Sequence, residues 1–468
     1  MKSATLVFAA ALTAATSVSA QTQGAGLARF RDLYRELVEI DTTYSAGDCT
    51  KAAEAMGARL KNAGYSDADV RVLVPKGHPR FGALTAIIRG SDKSASALLL
   101  LAHIDVVEAK REDWKRDPFK LVEEDGYFYG RGTFDDKAMA AVFVDSFIRY
   151  REEGLKPRRD IKMALTCGEE TGEIFDGLQY LIENHRETVQ AGMAINEGGS
   201  GRSDENGKPV LLEIQAGEKV YQDYKLEITN PGGHSSRPTK DNAIVRLSQA
   251  LTKIGAYEFP VTMSSVTRGY FAAMSTLTQG PLAADMKAMD SDHPPATAVA
   301  NVARDPLWNS MMRTTCVPTM VNAGHAQNAL PQRATANVNC RILPGQTVEA
   351  TRQKLIELAA DKDIAITLDA KPTPQSPAPP ISSALTEPAR AIASKIWPGV
   401  PLVPTLSTGA TDGIYTNAAG IPTYGMSGMF RDPDGNGIHG LNERIRVKSL
   451  YDGRDFLHEV VKLYAAGG

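Results

Sequence analysis

Four leucines in a row, Leu98–Leu101, run directly into Ala102-His103-Ile104-Asp105-Val106-Val107. A run that is apolar at every position offers no face to water. It reads as a strand covered on both sides, as in a parallel sheet flanked by helices. The end of the run adds a second constraint. An imidazole and a carboxylate follow the last leucine, two residues apart, and in an extended chain they share a face. In open α/β sheets the carboxyl ends of the strands lie along one edge, and ligands bind there.

The rest of the first half repeats this rhythm. ARFRDLYRELVEI and CTKAAEAMGARLKNAGY read as helices, the second stopped by Gly64. ALTAIIRG and DIKMALTCGEE read as strands, MAAVFVDSFIRYREEG and DGLQYLIENHRE as helices, and AGMAINEGG as a strand ending in an acid. Strands alternating with helices predict an α/β layered catalytic domain with a mostly parallel sheet. Near Glu218 the pattern changes. VYQDYKLEITN alternates as a half-exposed strand does, then NAIVRLSQALTKI reads as a helix, TTCVPTMVNAG and RATANVNCRILP as strands, TVEATRQKLIELAAD as a helix and IAITLDA as a strand. This β-α-β-β-α-β order predicts an inserted α+β lid domain of one sheet and two helices. A stretch at about 257–313 interrupts it, as an ordered insertion or a flap. Proline-rich KPTPQSPAPP reads as a linker, after which the first style resumes. The expected segments are therefore 1–20, a signal; 21–217 and 371–468, the two parts of the catalytic domain; and 218–370, the lid.

The leader MKSATLVFAAALTAATSVSA has Lys2, an alanine-rich apolar core and the small-x-small site Val18-Ser19-Ala20, as a cleavable secretory signal does. Its core is shorter than the roughly 20 residues that span a bilayer. Gln21 rather than Cys follows, so no membrane or lipid anchor is expected, and the mature protein should be secreted or periplasmic. The 468 residues carry a formal charge of -3 with the two signs mixed. No basic stripe is present, which argues against nucleic acid as a partner. Cys49, Cys167, Cys316 and Cys340 form no CxxC pair, so a zinc knuckle is not expected. Export permits disulfides, and Cys316–Cys340 is one candidate pair.

Ionisable residues recur where strands end. Glu169 and Glu170 follow KMALTC, Glu197 follows MAIN, Asp135 and Asp136 lie in GRGTFDDK, and His439 lies in GNGIHGLNE. Taken singly each has a plain reading: a hydrogen-bonded surface histidine, a solvated acid pair, a helix cap. Together, histidines and acids spread over several strand ends have the composition of a two-metal hydrolytic site.

The motifs AHIDVV, GRGTFDDK, CGEETGE, INEGG and GIHGLNE, in this order, resemble those of the M20 family of zinc metallopeptidases, the carboxypeptidase, dipeptidase and aminoacylase relatives of the glutamate carboxypeptidase type. The resemblance covers nearly the whole mature chain. It implies that His103 ligates one of two zinc ions, with Co2+ or Mn2+ as alternatives, and that Asp105 orients its imidazole. It implies Asp135 as the bridge between the metals, with Asp136 as its rival and a cis peptide after the bridging residue. Glu197 would complete the first metal's set, Glu170 and His439 would hold the second, and Glu169 would be the general base. A strand-like conformation would let the adjacent Glu169 and Glu170 side chains diverge. His234 in PGGHSSRP is expected to help hold substrate or oxyanion, and Asn328 and Arg341 to grip a free carboxylate. Gly409 in STGATDG is expected to present a backbone N–H. The chain departs from the family at Ala138, where Gly is frequent, and at Gly168, where Asp is common. The expected activity is hydrolysis of the amide bond to a C-terminal amino acid in a small peptide, with an N-acyl amino acid as the alternative substrate, and the expected partner is a second copy joined through the lid.

Overall fold

A computed structural model describes residues 26–171, 175–368 and 372–467. The leader expectation lies outside the described residues. Among them, no helix is long and apolar enough to cross a membrane. The chain forms two compact units. Of the described residues, the first comprises 26–171, 175–190, 203–208 and 428–467, and the second comprises 191–202, 209–368 and 372–427. The expected segment limits at 217/218 and 370/371 fall inside the second unit, where strand Pro209–Glu218 runs almost directly into strand Val220–Thr229.

In the first unit, strand Leu98–His103 is buried at every position. It pairs in parallel with Ile161–Thr166, placing His103 opposite Thr166. The connection between them contains helix Lys137–Glu152, so this is a β-α-β crossover. Ala83–Ile88 continues the sheet antiparallel to Ile161–Thr166, and Val70–Leu73 forms the next antiparallel ladder. Helix Lys137–Glu152 buries residues on every side, as the continuous apolar MAAVFV run requires. Helix Cys49–Asn62 begins at Asp48, whose side chain accepts the Lys51 N–H, and is followed by Gly64 at φ +95°. Cys49, on the first turn of that helix, is disulfide-bonded to Cys167.

The second unit contains two sheet segments. In one, Thr423–Gly425 runs parallel to Met193–Asn196, and Leu402–Ser407 runs parallel to Pro209–Glu218. The other is the expected lid, a four-stranded sheet in the order Thr315–Ala323, Arg333–Ile342, Val220–Thr229, Ala365–Leu368. Helices Ala243–Ala256 and Val348–Ala359 pack on one of its faces, around Tyr224, Leu226, Ile228, Leu247, Val338 and Leu355. The alternation read in VYQDYKLEITN is the cause: even positions point into this core and odd ones away. Pro318 breaks the register of the outer strand, as a residue without an N–H must, and the ladder resumes at Met320. Cys316 sits opposite Cys340 and the two are bonded, so the candidate pair is found.

The 257–313 stretch is ordered. It forms helices Ser265–Leu277, Pro281–Ala288, Ala296–Val302 and Pro306–Met312. Its end is anchored by the buried Lys219, whose Nζ donates to Ser310 O at 3.0 Å, Arg313 O at 2.9 Å and Thr315 Oγ1 at 3.0 Å. These are oxygens at and beyond the carboxyl end of the last helix, where a cation is favoured. The α/β class, the parallel pairing at the strands that carry the site, and the β-α-β-β-α-β lid thus agree with the sequence.

Candidate metal centre

The first unit gathers four of the expected residues at the ends of its strands and loops. His103 closes the buried leucine strand and is itself buried. Its Nε2 is 3.2 Å from Asp135 Oδ1. The other oxygen, Asp135 Oδ2, is 3.1 Å from His439 Nε2. That same nitrogen is 3.0 Å from Glu170 Oε1. Asp135 therefore stands between two imidazoles with one oxygen toward each. Asp136 does not: it takes the position before helix Lys137–Glu152, where its backbone oxygen accepts the Ala140 N–H. The peptide between the two aspartates is cis.

Two details differ from the expectation. His103 Nδ1 lies 3.1 Å from the backbone oxygen of Asp105, whereas the Asp105 carboxylate is 3.7 Å away. Asp105 orients the ring through its main chain, because its carboxylate is turned to the Glu170 N–H, which it accepts at 3.1 Å through Oδ2. Glu169 and Glu170 are also not strand-like. The strand ends at Thr166, and Gly168 turns the chain at φ +103°. A Cβ on Gly168 would stand 2.1 Å from Phe175 O, so the departure from Asp at this position is imposed by close backbone approach. The acid pair sits on a turn beyond the strand.

The charges explain one another. Burial pushes the Asp135 carboxyl up, but the His103 and His439 imidazoles outweigh it and hold the group below the usual carboxylate range. Burial raises Glu170. Asp135 and Glu170 together push the His439 imidazole up to about 10. A buried knot of carboxylates thus draws positive charge to itself. His103, Asp135 and Glu170 each offer a ligand atom, all within 4.8 Å of one another. Imidazole nitrogen and carboxylate oxygen at such separations suit a divalent metal ion, and a carboxylate with one oxygen toward each of two histidines suits a bridge between two.

A residue missed in the sequence holds this arrangement. Glu443 is fully buried and lies four residues after His439. Its Oε2 accepts from Arg131 Nη1 at 2.7 Å and from the Gly132 N–H at 3.0 Å. Its Oε1 accepts from the Phe134 N–H at 2.8 Å and from the Asp135 N–H at 3.1 Å. Arg131 also donates to Gly440 O at 2.8 Å. One carboxylate therefore ties the Asp135 segment to the His439 segment. The signal available was a further acid inside GIHGLNE. Lys137, the cation of DDK, is buried below and donates to Ile40 O at 2.6 Å. Burial, opposed by Asp41, Glu443 and Asp105, pulls its ammonium down to about 7.

The remaining expected residues lie in the second unit. Glu197 follows strand Met193–Asn196, where Gly425 packs so close that a Cβ would be 2.5 Å from Glu197 O. His234 and Ala329 are partners in a short antiparallel ladder, and the Ser235 N–H donates to Asn328 O at 3.0 Å, so His234 and Asn328 are neighbours. His234 Nδ1 receives the Ser236 N–H at 3.1 Å. A backbone N–H can only donate, so the neutral ring carries its proton on Nε2. Arg341 stands on the lid sheet opposite Tyr221. The Gly409 N–H is not free to receive a ligand as expected, since it donates to Ser407 Oγ at 3.1 Å. Glu218, another residue not singled out, is buried beside Thr411, and burial pushes its carboxyl up to about 8 against the Thr411 hydrogen bonds.

The chain matches the model described as Peptidase family M20/M25/M40 over residues 99–463. It is 29% identical over 392 residues to the N-fatty-acyl-amino acid synthase/hydrolase PM20D1 of Homo sapiens, covering 80% of this chain and 75% of that protein. It is 27% identical over 394 residues to the probable carboxypeptidase S-like 2 of Dictyostelium discoideum, covering 80% and 73%. Among solved structures, the M20 family metallo-carboxypeptidase Sso-CP2 from Sulfolobus solfataricus has a similar fold, with a TM-score of 0.69 at 18% identity over 93% of this chain and 99% of that one.

The Glu443 clamp is testable apart from turnover. Glu443→Gln keeps the shape but removes the charge and one acceptor. Divalent-metal affinity should fall by about 10–100-fold, as for other outer partners of metal ligands. Calorimetric titration of the folded variant checks this, and wild-type affinity would show that the ligand loops hold themselves.

Proposed function

Because this chain belongs to peptidase family M20/M25/M40 and is therefore a hydrolytic enzyme, we propose that it is an exported di-zinc amidohydrolase that frees a C-terminal amino acid from an amide-linked substrate. The observation that carries this reading is Asp135 standing between His103 and His439 with Glu170 beside them. Zinc ions held by His103, Asp135, Glu170 and His439, with Glu197 added to the set by the family resemblance, would polarise the scissile carbonyl and lower the pKa of a water. Glu169 takes the proton of the attacking water and returns it to the leaving nitrogen. His234 offers its Nε2–H to the oxyanion, supported by the tautomer that Ser236 selects. Arg341 and Asn328 hold the substrate's free carboxylate, for which a guanidinium fork is suited.

The acyl side has two readings. A peptide is supported by the carboxypeptidase S-like relative. An N-acyl amino acid is supported by the fatty-acyl-amino acid hydrolase relative, which is slightly more similar to this chain. Both share the amino-acid leaving group. Export is supported by the two disulfides, which persist in oxidising compartments. A homodimer through the lid is supported by the outer strand Thr315–Ala323, which leaves Met320 71% and Val321 68% exposed on a sheet edge.

Four outcomes follow. Glu169→Gln should retain metal while turnover falls by at least about 100-fold, the low end for a positioned acid–base group; near-normal turnover with verified metal content removes Glu169 from the chemistry. A dipeptide and a fatty-acyl derivative of the same C-terminal residue should both release that residue, and the faster one names the acyl class. Arg341→Ala should impair both while sparing the matching carboxamides, and equal loss on carboxamides would sink the carboxylate role. Met320→Lys should shift the protein from dimer to monomer in sedimentation; a monomeric wild type would end the dimer reading.

A further inference from the structure

Arg341 is half-buried on the lid sheet, on the face turned away from the helices. Among the described residues its guanidinium makes no ion pair and no side-chain hydrogen bond. What it touches is a ring: its Cζ lies 4.6 Å from the centroid of Tyr221, its direct partner across the ladder. Asp223, two residues along and on the same face, is the nearest carboxylate on that strand. It is already engaged. Its Oδ2 accepts the Tyr221 hydroxyl, and its Oδ1 accepts Asn337 Nδ2 at 2.8 Å and Asn339 Nδ2 at 2.9 Å. Asn337 is itself held by Thr319 Oγ1 at 2.8 Å.

We propose that Tyr221 is a positioning residue for Arg341: its ring fixes the guanidinium by a cation–π contact, while Asp223, held by Tyr221, Asn337 and Asn339, locks the ring without occupying the arginine's N–H edges. This rests on the reading of Arg341 as the carboxylate-binding group and adds how that group is kept ready. A carboxylate partner would also hold the arginine, but it would occupy the same fork that substrate needs. An aromatic face takes the cation from the side and leaves the N–H edges open. Donating its hydroxyl proton toward Asp223 makes the ring more electron-rich, which strengthens that contact. The N–H edges that a substrate carboxylate needs then stay open, because the lone pairs of the nearest carboxylate are already taken by neutral donors.

The test compares an N-acyl amino acid with its carboxamide on the zinc-loaded full chain. Tyr221→Leu should raise KM for the carboxylate substrate by about 2- to 30-fold, the span of a cation–π contact from exposed to desolvated. The carboxamide KM should not move, and kcat should stay within about twofold for both. Tyr221→Phe keeps the ring and should recover most of the loss. Tyr221→Met serves where the leucine variant does not fold. Arg341→Ala is measured alongside. If Arg341→Ala discriminates between the substrates and Tyr221→Leu does not, the positioning role is overturned while the carboxylate site stands. If Arg341→Ala itself fails to discriminate, both are overturned. An equal rise of KM on both substrates in Tyr221→Leu would mark Tyr221 as part of the lid's packing and nothing more.

Discussion

The proposed metal centre depends on a carboxylate that is not itself placed among the candidate ligands. Glu443 is buried, and burial alone would make its charge untenable. Four donors, one of them the Arg131 guanidinium, make it tolerable. Removing one member of such a buried pair leaves the other uncompensated, which typically costs about 3–5 kcal/mol. Three of the four donors are backbone N–H groups of the segment that ends in Asp135. The carboxylate is thus the surface on which that segment is moulded, and His439 sits on the same loop four residues earlier. Asp135 and His439 meet because Glu443 gathers both of their segments.

Much of this could be read in the sequence because strand ends are punctuated by chemistry. The leucine run made the strand, and His103 had to follow it at the edge. Asp135 could be preferred to Asp136 only through motif position; the geometry gives a physical reason, since Asp136 occupies the turn entering the helix. Other features were hidden for definite reasons. The Cys49–Cys167 bridge spans 118 residues and joins a helix start to the residue before the Gly168 turn, a pairing that no local pattern announces. Glu443 was overlooked because its partners are main-chain donors, which every residue but proline possesses and which leave no compositional trace. The strand-like reading of Glu169-Glu170 failed because Gly168 permits a backbone turn that side-chain patterns do not encode.

The lid shows how one periodicity supplies both a core and the placement of its outward-facing side chains. Even positions of Val220–Thr229 fill the core beneath two helices, and odd positions carry Tyr221 and Asp223 on the other face. A slip of one residue would exchange the two sets, so the hydrophobic core itself fixes where Arg341 and Tyr221 meet. The helical insertion is joined to this strand one residue earlier. Lys219 gives its protons to oxygens at the end of the last inserted helix. The insertion is therefore registered to the start of the strand that bears Tyr221, and it cannot shift without unpairing a buried ammonium.

Two kinds of charged side chain can be told apart in this molecule. Glu443, Asp223 and Lys219 are saturated: each has three or more partners from its own chain, and each fixes backbone or side-chain geometry. Asp135, Glu170 and Arg341 are in a different condition. The two acids face only the imidazoles of His103 and His439 among the charged partners described above, and the arginine rests on a ring rather than on an acceptor. Desolvation penalises a charge whether or not it is satisfied, so folding alone gives no advantage to leaving these groups short of partners. On the proposed reading a divalent cation would complete the acids and a substrate carboxylate would complete the arginine. The saturated set is then best understood as the scaffold that keeps the unsaturated set from collapsing onto the nearest internal counter-charge.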